Sequence, residues 1–234
     1  LSMISDDSFY MEMKKDYAPE MVTAFIRLNG ATVGCVANRS EVYTDGEKTA
    51  TYDAALTAAG CEKAAAFVNF CNAFEIPVLT LVNVDGYKNC KCNEKKIAKA
   101  AARLTYAFAN ADVPKVTVVV GKANGTAGLT MNSKSIGSDI VYAWKNAKIG
   151  VMEAAPAVKI MYADEIAKAD NAAALINEKA AQYNEIQASA LAAAKRGYVD
   201  DIIEASETRQ RVVAAFEMLF TKREDRPSKK HGTI

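Results

Sequence analysis

A glycine-rich segment, residues 121–128 (GKANGTAG), directly follows an apolar run that is typical of a buried strand. Glycines let the backbone turn sharply and come close to a ligand. If a helix begins near Ala127, its free N–H groups point back at the loop and provide a site for an anion or a developing oxyanion. The pattern is neither G-x-G-x-x-G nor a P-loop, because its Gly-Lys pair stands at the wrong end. On the pattern alone, a plain strand-to-helix turn is the favoured alternative.

A second segment, residues 83–87 (NVDGY), follows the preceding apolar run. In an open α/β sheet, ligands bind beyond the carboxyl ends of the strands. Both segments leave such ends, so we expect them to share one crevice. An ordinary turn at Asp85-Gly86, with Tyr87 packed on the rim, explains the same residues equally well.

Two adjacent carboxylates, Asp200 and Asp201, are a candidate acid–base pair. Neighbouring side chains point in different directions on any regular element. The sequence therefore favours a capping or salt-bridging role over catalysis.

Cysteine usage argues against a disulfide framework or a metal centre. The count is odd and the spacing irregular. Cys90 and Cys92 form a lone C-x-C without a second pair, so no zinc site is predicted. The other three cysteines stand among apolar residues and are predicted to be core residues: Cys35, Cys61 and Cys71.

Composition excludes several classes of function. The 234 residues suffice for one large domain or two small ones, and the absence of an internal linker rich in Pro, Gly or Ser favours one domain. The chain is 50% hydrophobic and carries a net charge of +1, which gives no electrostatic signature for nucleic acid. The one histidine, His231, lies near the carboxyl end, so the body of the chain cannot build a Ser-His-Asp or Cys-His site. No secretory signal or membrane-spanning stretch is visible, and we expect a reducing, cytoplasmic location.

Periodicity and turn signals predict the elements that position these segments. A polar lead-in (1–20), a polar loop (38–50) and a basic, polar tail (222–234) flank or interrupt them. The predicted strands are 21–28, 31–37, 78–84, 115–120, 140–142 and 148–151, with Asn29-Gly30 as a hairpin turn. The predicted helices are 51–74, 94–110, 155–162, 164–196 (with one break at most) and 206–222. Strands that alternate with helices predict an α/β fold with parallel pairing.

Several segments, in one order, resemble the carboxyltransferase subunits of biotin-dependent acyl-CoA carboxylases and decarboxylases. This family includes propionyl-CoA carboxylase β chains and methylmalonyl-CoA carboxyltransferases. The resemblance covers nearly the whole chain, from about residue 8 to His231. It is carried by residues 24–34 (AFIRLNGATVG), 66–77 (AFVNFCNAFEIP), 106–109 (YAFA), 113–118 (VPKVTV), 122–127 (KANGTA) and 196–203 (RGYVDDII).

The resemblance implies a crotonase-like (ClpP/crotonase) ββα superhelix within the α/β class. Family members contain two related halves, and this chain is similar to the carboxyl-terminal half. We therefore expect residues 1–234 to form a single carboxyltransferase C-terminal domain. The expected activity is transfer of CO₂ between carboxybiotin and an acyl-CoA of the propionyl/methylmalonyl or acetyl/malonyl type.

The resemblance also assigns roles to the glycine-rich segment. In the family, two successive backbone N–H groups form an oxyanion hole for the ureido oxygen of biotin. The matching positions here are Thr126 and Ala127, with Gly125 before them on the biotin side. Because the backbone is the donor, Thr126 retains the N–H that a glycine supplies in the family.

Further positions follow from the same resemblance. Asp85, Gly86 and Tyr87 correspond to the loop on the biotin side, and Gly128 and Leu129 to positions that line the acyl pocket. No metal is implied.

The implied cofactor is biotin, carried as carboxybiotin on a partner protein, and the implied substrate is a coenzyme A thioester. The implied partners are an amino-terminal carboxyltransferase half, a biotin carrier protein, and biotin carboxylase or membrane decarboxylase subunits. Further copies of the chain are also expected, because the family's site lies at a subunit interface.

Departures from the family pattern leave other interpretations open. The family's Pro is Asp85 here, most of the segment 83–97 differs, and Gly128-Leu129 replaces a Tyr-Asp pair. A catalytically silent half that serves assembly is the main alternative. A crotonase-type hydratase or hydrolase is a third, although no placed carboxylate base stands out.

Overall fold

The computed structural model describes residues 1–44 and 47–224. The strands are β1 (Met11–Glu12), β2 (Met21–Leu28), β3 (Ala31–Asn38), β4 (Glu41–Thr44), β5 (Glu47–Thr51), β6 (Ala55–Leu56), β7 (Val78–Val84), β8 (Gly86–Tyr87), β9 (Lys115–Asn124), β10 (Ile140–Trp144), β11 (Lys148–Gly150) and β12 (Asp201–Ile203). The α-helices are α1 (Ala58–Ala73), α2 (Lys91–Asn110), α3 (Gly125–Thr130), α4 (Ala154–Met161), α5 (Ala163–Lys168), α6 (Ala172–Ile186), α7 (Ala190–Lys195) and α8 (Thr208–Leu219).

The main sheet has the strand order β1-β2-β3-β7-β9-β10-β12, and β11 pairs with the far end of β9. The strands β3, β7, β9, β10 and β12 run parallel, which confirms the predicted α/β class. The β2–β3 hairpin turns at Asn29 (φ 51°) and Gly30 (φ 80°), as an Asn-Gly pair with two positive φ angles favours.

Helices cover both faces of the parallel strands, and most residues of these strands are accordingly apolar. On one face, α1 and α2 contribute Val68, Leu104 and Phe108, all fully buried. On the other face, Val212 of α8 packs with Val116 of β9. Burial on both sides is the usual situation of parallel strands.

The prediction that three of the cysteines are core residues is confirmed. Cys35, Cys61 and Cys71 are buried, and burial raises the pKa values of the Cys61 and Cys71 thiols to about 12. Cys35 lies on the hairpin and the other two on α1, so all three act as small apolar residues.

Some predicted boundaries are wrong. The predicted polar loop 38–50 contains most of a hairpin formed by β4 and β5. These strands show little alternation of apolar and polar residues, because the hairpin is almost entirely exposed. The predicted helix 51–74 begins only at Ala58, where the Thr57 hydroxyl accepts a hydrogen bond from the Gly60 N–H (2.9 Å). The predicted lead-in, residues 1–20, also contains a strand, because β1 pairs antiparallel with β2.

The predicted helix 164–196 is three helices, with two breaks instead of at most one. Asn171 caps α6 through a hydrogen bond from Ala174 N–H (3.1 Å), and Ser189 caps α7 through one from Ala192 N–H (3.1 Å). At the end of α7, Gly197 has φ 78°, which confirms the predicted C′ glycine. The last helix, predicted over 206–222, begins at Thr208 and ends at Leu219.

Candidate active site

The carboxyl ends of β7 and β9 lie side by side and carry the two candidate segments. Val82 pairs with Val119, and the register then shifts so that Val84 pairs with Ala123. The segments that follow these strands contact each other through Asp85 and Lys122, and the expectation that they share one ligand-binding crevice remains a prediction. Their position beyond the carboxyl ends of parallel strands is where α/β sheets bind ligands.

An ion cluster joins the two segments. The Lys122 ammonium contacts Asp85 Oδ1 (2.9 Å) and Glu153 Oε1 (2.8 Å), and Asn124 Nδ2 donates to Asp85 Oδ1 (3.3 Å). The hydrogen bond to Glu153 and then that to Asp85 raise the pKa of Lys122 above its usual 10.5. Asp85 is thus held as a bridge between two loops. Sequence reasoning missed Lys122 and Glu153 as members of the site, because no local pattern links them to Asp85.

Asn83 fixes the approach of β9 to β7. Its Oδ1 accepts a hydrogen bond from the Lys122 N–H (3.1 Å). A Cβ on Gly121 would lie 2.4 Å from that same oxygen. A side chain at position 121 would therefore push the Asn83 amide out of this position, so glycine favours the close contact between the two strand ends.

Helix α3 follows β9 immediately, and two glycines make this arrangement possible. Gly125 opens the helix at φ 57°, and a Cβ there would lie 2.9 Å from the Val151 carbonyl oxygen. Gly128 packs on the strand so closely that a Cβ would lie 2.7 Å from the Ala123 carbonyl carbon. The predicted strand-to-helix turn is therefore present, and the helix begins two residues earlier than Ala127.

The first turn of α3 presents backbone N–H groups beyond the end of β9. The first N–H groups of an α-helix have no acceptor within the helix, so those of Thr126 and Ala127 are available to a ligand. Thr126 is exposed, whereas the Ala127 side chain is buried in the core. Their roles stay predictions that rest on this placement.

A cavity of about 620 Å³ adjoins α3. Four of the predicted site residues line it: Gly125, Thr126, Gly128 and Leu129. The walls elsewhere are mainly apolar and come from β9, β10, β11 and α6, together with Arg196 and Tyr198. Such a space suits an organic ligand with a small number of polar contacts.

The remaining predicted site residues lie near this cavity but do not line it. Asp85 belongs to the ion cluster. Gly86 and Tyr87 form β8, which pairs with β6. The Tyr87 hydroxyl lies 3.2 Å from Thr130 Oγ1, so this side chain packs against the back of α3. Their predicted part in cofactor binding therefore remains a prediction.

Asp200 and Asp201 take the salt-bridging role that the sequence favours. Asp200 accepts hydrogen bonds from the Val141 N–H and from Lys134 Nζ, both at 2.8 Å. Asp201 pairs with Arg211 (3.6 Å).

No three His, Cys, Asp or Glu side chains cluster as potential metal ligands within residues 1–44 and 47–224. His231 and residues 225–234 of the predicted tail lie outside the described residues. In that same described part, no helix has the length and apolar character needed to cross a membrane.

Comparison with known proteins identifies the class. A model of the carboxyl transferase domain matches residues 1–234, and the chain belongs to this family. It is 40% identical over 235 residues to the methylmalonyl-CoA carboxyltransferase 12S subunit of Propionibacterium freudenreichii subsp. shermanii, covering 100% of this chain and 43% of that relative. It is also 40% identical to the methylmalonyl-CoA decarboxylase subunit alpha of Propionigenium modestum, covering 100% of this chain and 44% of the relative.

Solved structures support the same family and fix the fold. The transcarboxylase 12S structure with methylmalonyl-coenzyme A and methylmalonic acid bound matches with a TM-score of 0.90 at 41% identity, over 99% of this chain and 43% of that chain. The β subunit of P. aeruginosa geranyl-CoA carboxylase matches with a TM-score of 0.78 at 25% identity, over 98% of this chain and 42% of that one. The fold is crotonase-like, as the resemblance implies. The chain spans less than half the length of these relatives, as one half of such a protein would.

Proposed function

We propose that this chain is the carboxyl-terminal, biotin-side half of a carboxyltransferase that moves a carboxyl group between carboxybiotin and an acyl-CoA. The observation that carries the proposal is the position of α3. Its first-turn N–H groups lie beyond the end of β9, beside the cavity of about 620 Å³. The family membership of residues 1–234 supports the reaction class.

The chemistry needs stabilised negative charge and no imidazole. Bound biotin supplies a ureido group whose oxygen becomes more negative as the carboxyl group leaves. The N–H groups of Thr126 and Ala127 donate to that oxygen and lower the barrier, because they are oriented before the charge appears. Gly125 allows the backbone to approach the ligand closely. The apolar walls exclude water and strengthen these hydrogen bonds.

The loop of Asp85, Gly86 and Tyr87 supports this arrangement from behind. Asp85 holds Lys122 and Asn124 on the strand that leads into α3, and Tyr87 contacts Thr130 within α3. We assign these residues to positioning the biotin side. Gly128 and Leu129 line the cavity, and we assign them to the acyl-CoA side, where Leu129 favours an apolar acyl group.

The proposal includes partners. Half of the site comes from an amino-terminal carboxyltransferase half, and a biotin carrier protein delivers or removes the carboxybiotin. A biotin carboxylase forms the carboxybiotin in a carboxylase, whereas membrane decarboxylase subunits decarboxylate it in a decarboxylase. The similar transcarboxylase 12S assembles as a hexamer, and we extend assembly with further copies to this chain.

A transfer assay tests the proposal. The chain is mixed with the amino-terminal half of the 12S relative, and the decarboxylation of methylmalonyl-CoA by free biotin is followed. Turnover by the assembled pair, and none by either half alone, is the expected result. An assembled pair that turns over neither methylmalonyl-CoA nor malonyl-CoA would instead favour the catalytically silent half that serves assembly.

Two substitutions at one position test the oxyanion assignment. Thr126→Pro removes the backbone donor at a place where the first helical turn tolerates proline. We expect kcat to fall about 100- to 1,000-fold, as on removal of a single oxyanion donor. Thr126→Ala, which keeps the N–H, is the matched control and should retain most of the activity. Equal activity in the two variants would disprove the assignment.

A further inference from the structure

Two thiols lie in contact at the start of α2. Cys90 is the residue before the helix and Cys92 is its second residue, and their Sγ atoms are 2.9 Å apart. Cys90 is partly exposed and Cys92 is exposed, whereas Cys35, Cys61 and Cys71 are buried. A disulfide needs a Sγ–Sγ distance of about 2.05 Å, so less than an ångström of further approach separates the thiol pair from a bond.

We propose that Cys90 and Cys92 form a redox-active dithiol, which small-molecule disulfides convert to an intramolecular disulfide on the loop behind α3. This modification site is independent of the carboxyl-transfer proposal. It concerns the one stretch, residues 83–97, in which the chain departs most from the family pattern.

The surroundings of the two thiols assign one as the attacking and the other as the resolving cysteine. A hydrogen bond from the Cys92 thiol, then the N–H of Asn93 and the charge of Lys88, lower the pKa of Cys90. The same hydrogen bond raises the pKa of Cys92. Because the thiolate is the nucleophile, Cys90 attacks first and Cys92 resolves.

The thiol–disulfide exchange needs no reagent other than the small-molecule disulfide, R–S–S–R. The Cys90 thiolate attacks one sulfur of R–S–S–R, the Cys90–SR bond forms, and R–S⁻ leaves and takes up a proton. Cys92 then loses its proton and attacks Cys90 Sγ, and the second R–S⁻ leaves. In sum, two protein thiols are oxidised to one disulfide, and one R–S–S–R is reduced to two R–SH.

The position of the pair connects it to the rest of the loop. Asn93 follows Cys92 directly, and its side chain accepts from the Ala58 N–H (2.7 Å) and donates to the Lys88 carbonyl (2.7 Å). The Asn93 and Glu94 N–H groups both bond to the Cys90 carbonyl (2.9 and 3.0 Å). These contacts hold the backbone on both sides of the thiols, so the pair is pre-positioned for closure.

Titration of the native chain with dithiodipyridine, an aromatic disulfide, tests the proposal. We expect two equivalents of the coloured thiol per chain in a fast phase, and a product that has lost the mass of two hydrogen atoms and retains no adduct. Cys92→Ser, whose hydroxyl still donates a hydrogen bond to Cys90, should react nearly as fast but release one equivalent and retain the adduct. Cys90→Ser should react about tenfold more slowly, because its remaining thiol lacks the lowered pKa.

Three results would overturn it. One is a wild-type product that carries two separate adducts, which would mean that the sulfurs do not close on each other. Another is equal rates for Cys90→Ser and Cys92→Ser, which would remove the division of roles. The third is consumption of Cys35, Cys61 or Cys71 in the fast phase, located by peptide mass mapping.

Discussion

Lys122 joins three parts of the candidate site through one ammonium group. It bridges Asp85, which follows β7, and Glu153, which precedes α4, while its own backbone belongs to β9. The Lys122 side chain is 39% exposed, so solvent screens the two pairs and their contribution to stability is small. Their main effect is geometric, since they fix the spacing of the loops around α3.

Replacement of Lys122 by Met tests this view. We expect the free energy of unfolding to fall by at most about 1 kcal/mol. The raised pKa of Lys122 means that its stabilisation is present below pH 10.5 and is lost as the pH rises through the raised value. Urea unfolding of both proteins should therefore show a gap at pH 7 that closes above pH 10.5.

Lys145→Met is the matched control, because the Lys145–Glu204 pair (3.7 Å) is 74% and 63% exposed. It should leave the free energy of unfolding unchanged. A gap for Lys122→Met that stays constant through the alkaline range would show that the ammonium charge is not what stabilises the loops.

At the scale of elements, the packing of α3 on β9 depends on one missing methyl group. A Cβ on Gly128 would lie 2.7 Å from the carbonyl carbon and 3.0 Å from the carbonyl oxygen of Ala123, and backbone atoms cannot move aside cheaply. Gly128→Ala must therefore displace α3 from the strand. We expect a loss of about 1–3 kcal/mol in the free energy of unfolding, measured by urea denaturation.

Gly86→Ala provides the comparison. A Cβ at Gly86 meets nothing within 4 Å and its φ is not positive, so the change should be nearly neutral. If the two variants unfold at the same urea concentration, α3 is not held by close backbone packing.

The elements also show which features a sequence can predict. The buried strands and the Asn-Gly hairpin were predictable because apolar runs and turn residues are local signals. The breaks at Asn171 and Ser189 carried a local signal as well, an N-cap residue before each new helix, but the alanine-rich composition on both sides obscured it. The exposed hairpin of β4 and β5 had little alternation to reveal it.

Some contacts of the candidate site are likewise predictable from local sequence, and others are not. The glycine-rich turn and its donors follow from the order strand, glycines, helix. The pairing of Lys122 with Asp85 and Glu153 spans 37 and 31 residues, and it depends on the order of strands in the sheet. No local pattern encodes such a contact, so it became visible only once β7 and β9 were placed side by side.

At the scale of the whole molecule, exposed apolar side chains are frequent in the segment that follows β11, residues 151–191. No residue of α6 is buried, and several apolar side chains of this region are more than half exposed: Val151, Ile160, Met161, Ile186 and Leu191. Apolar side chains that form an exposed patch are typical of an interface between proteins. This exposure agrees with the assembly with further copies that we propose.

Sedimentation of the isolated chain tests that interface. We expect a species heavier than the 25.2 kDa monomer at micromolar concentration. The double variant Ile160→Glu, Ile186→Glu should sediment as a monomer with an unchanged unfolding midpoint, because these side chains are 70% and 64% exposed and contribute little to the core. Tyr43→Ser, which removes an aromatic ring that is 60% exposed on the β4–β5 hairpin, is the control and should leave the association unchanged. A wild-type monomer, or a double variant that still associates, would place the interface elsewhere.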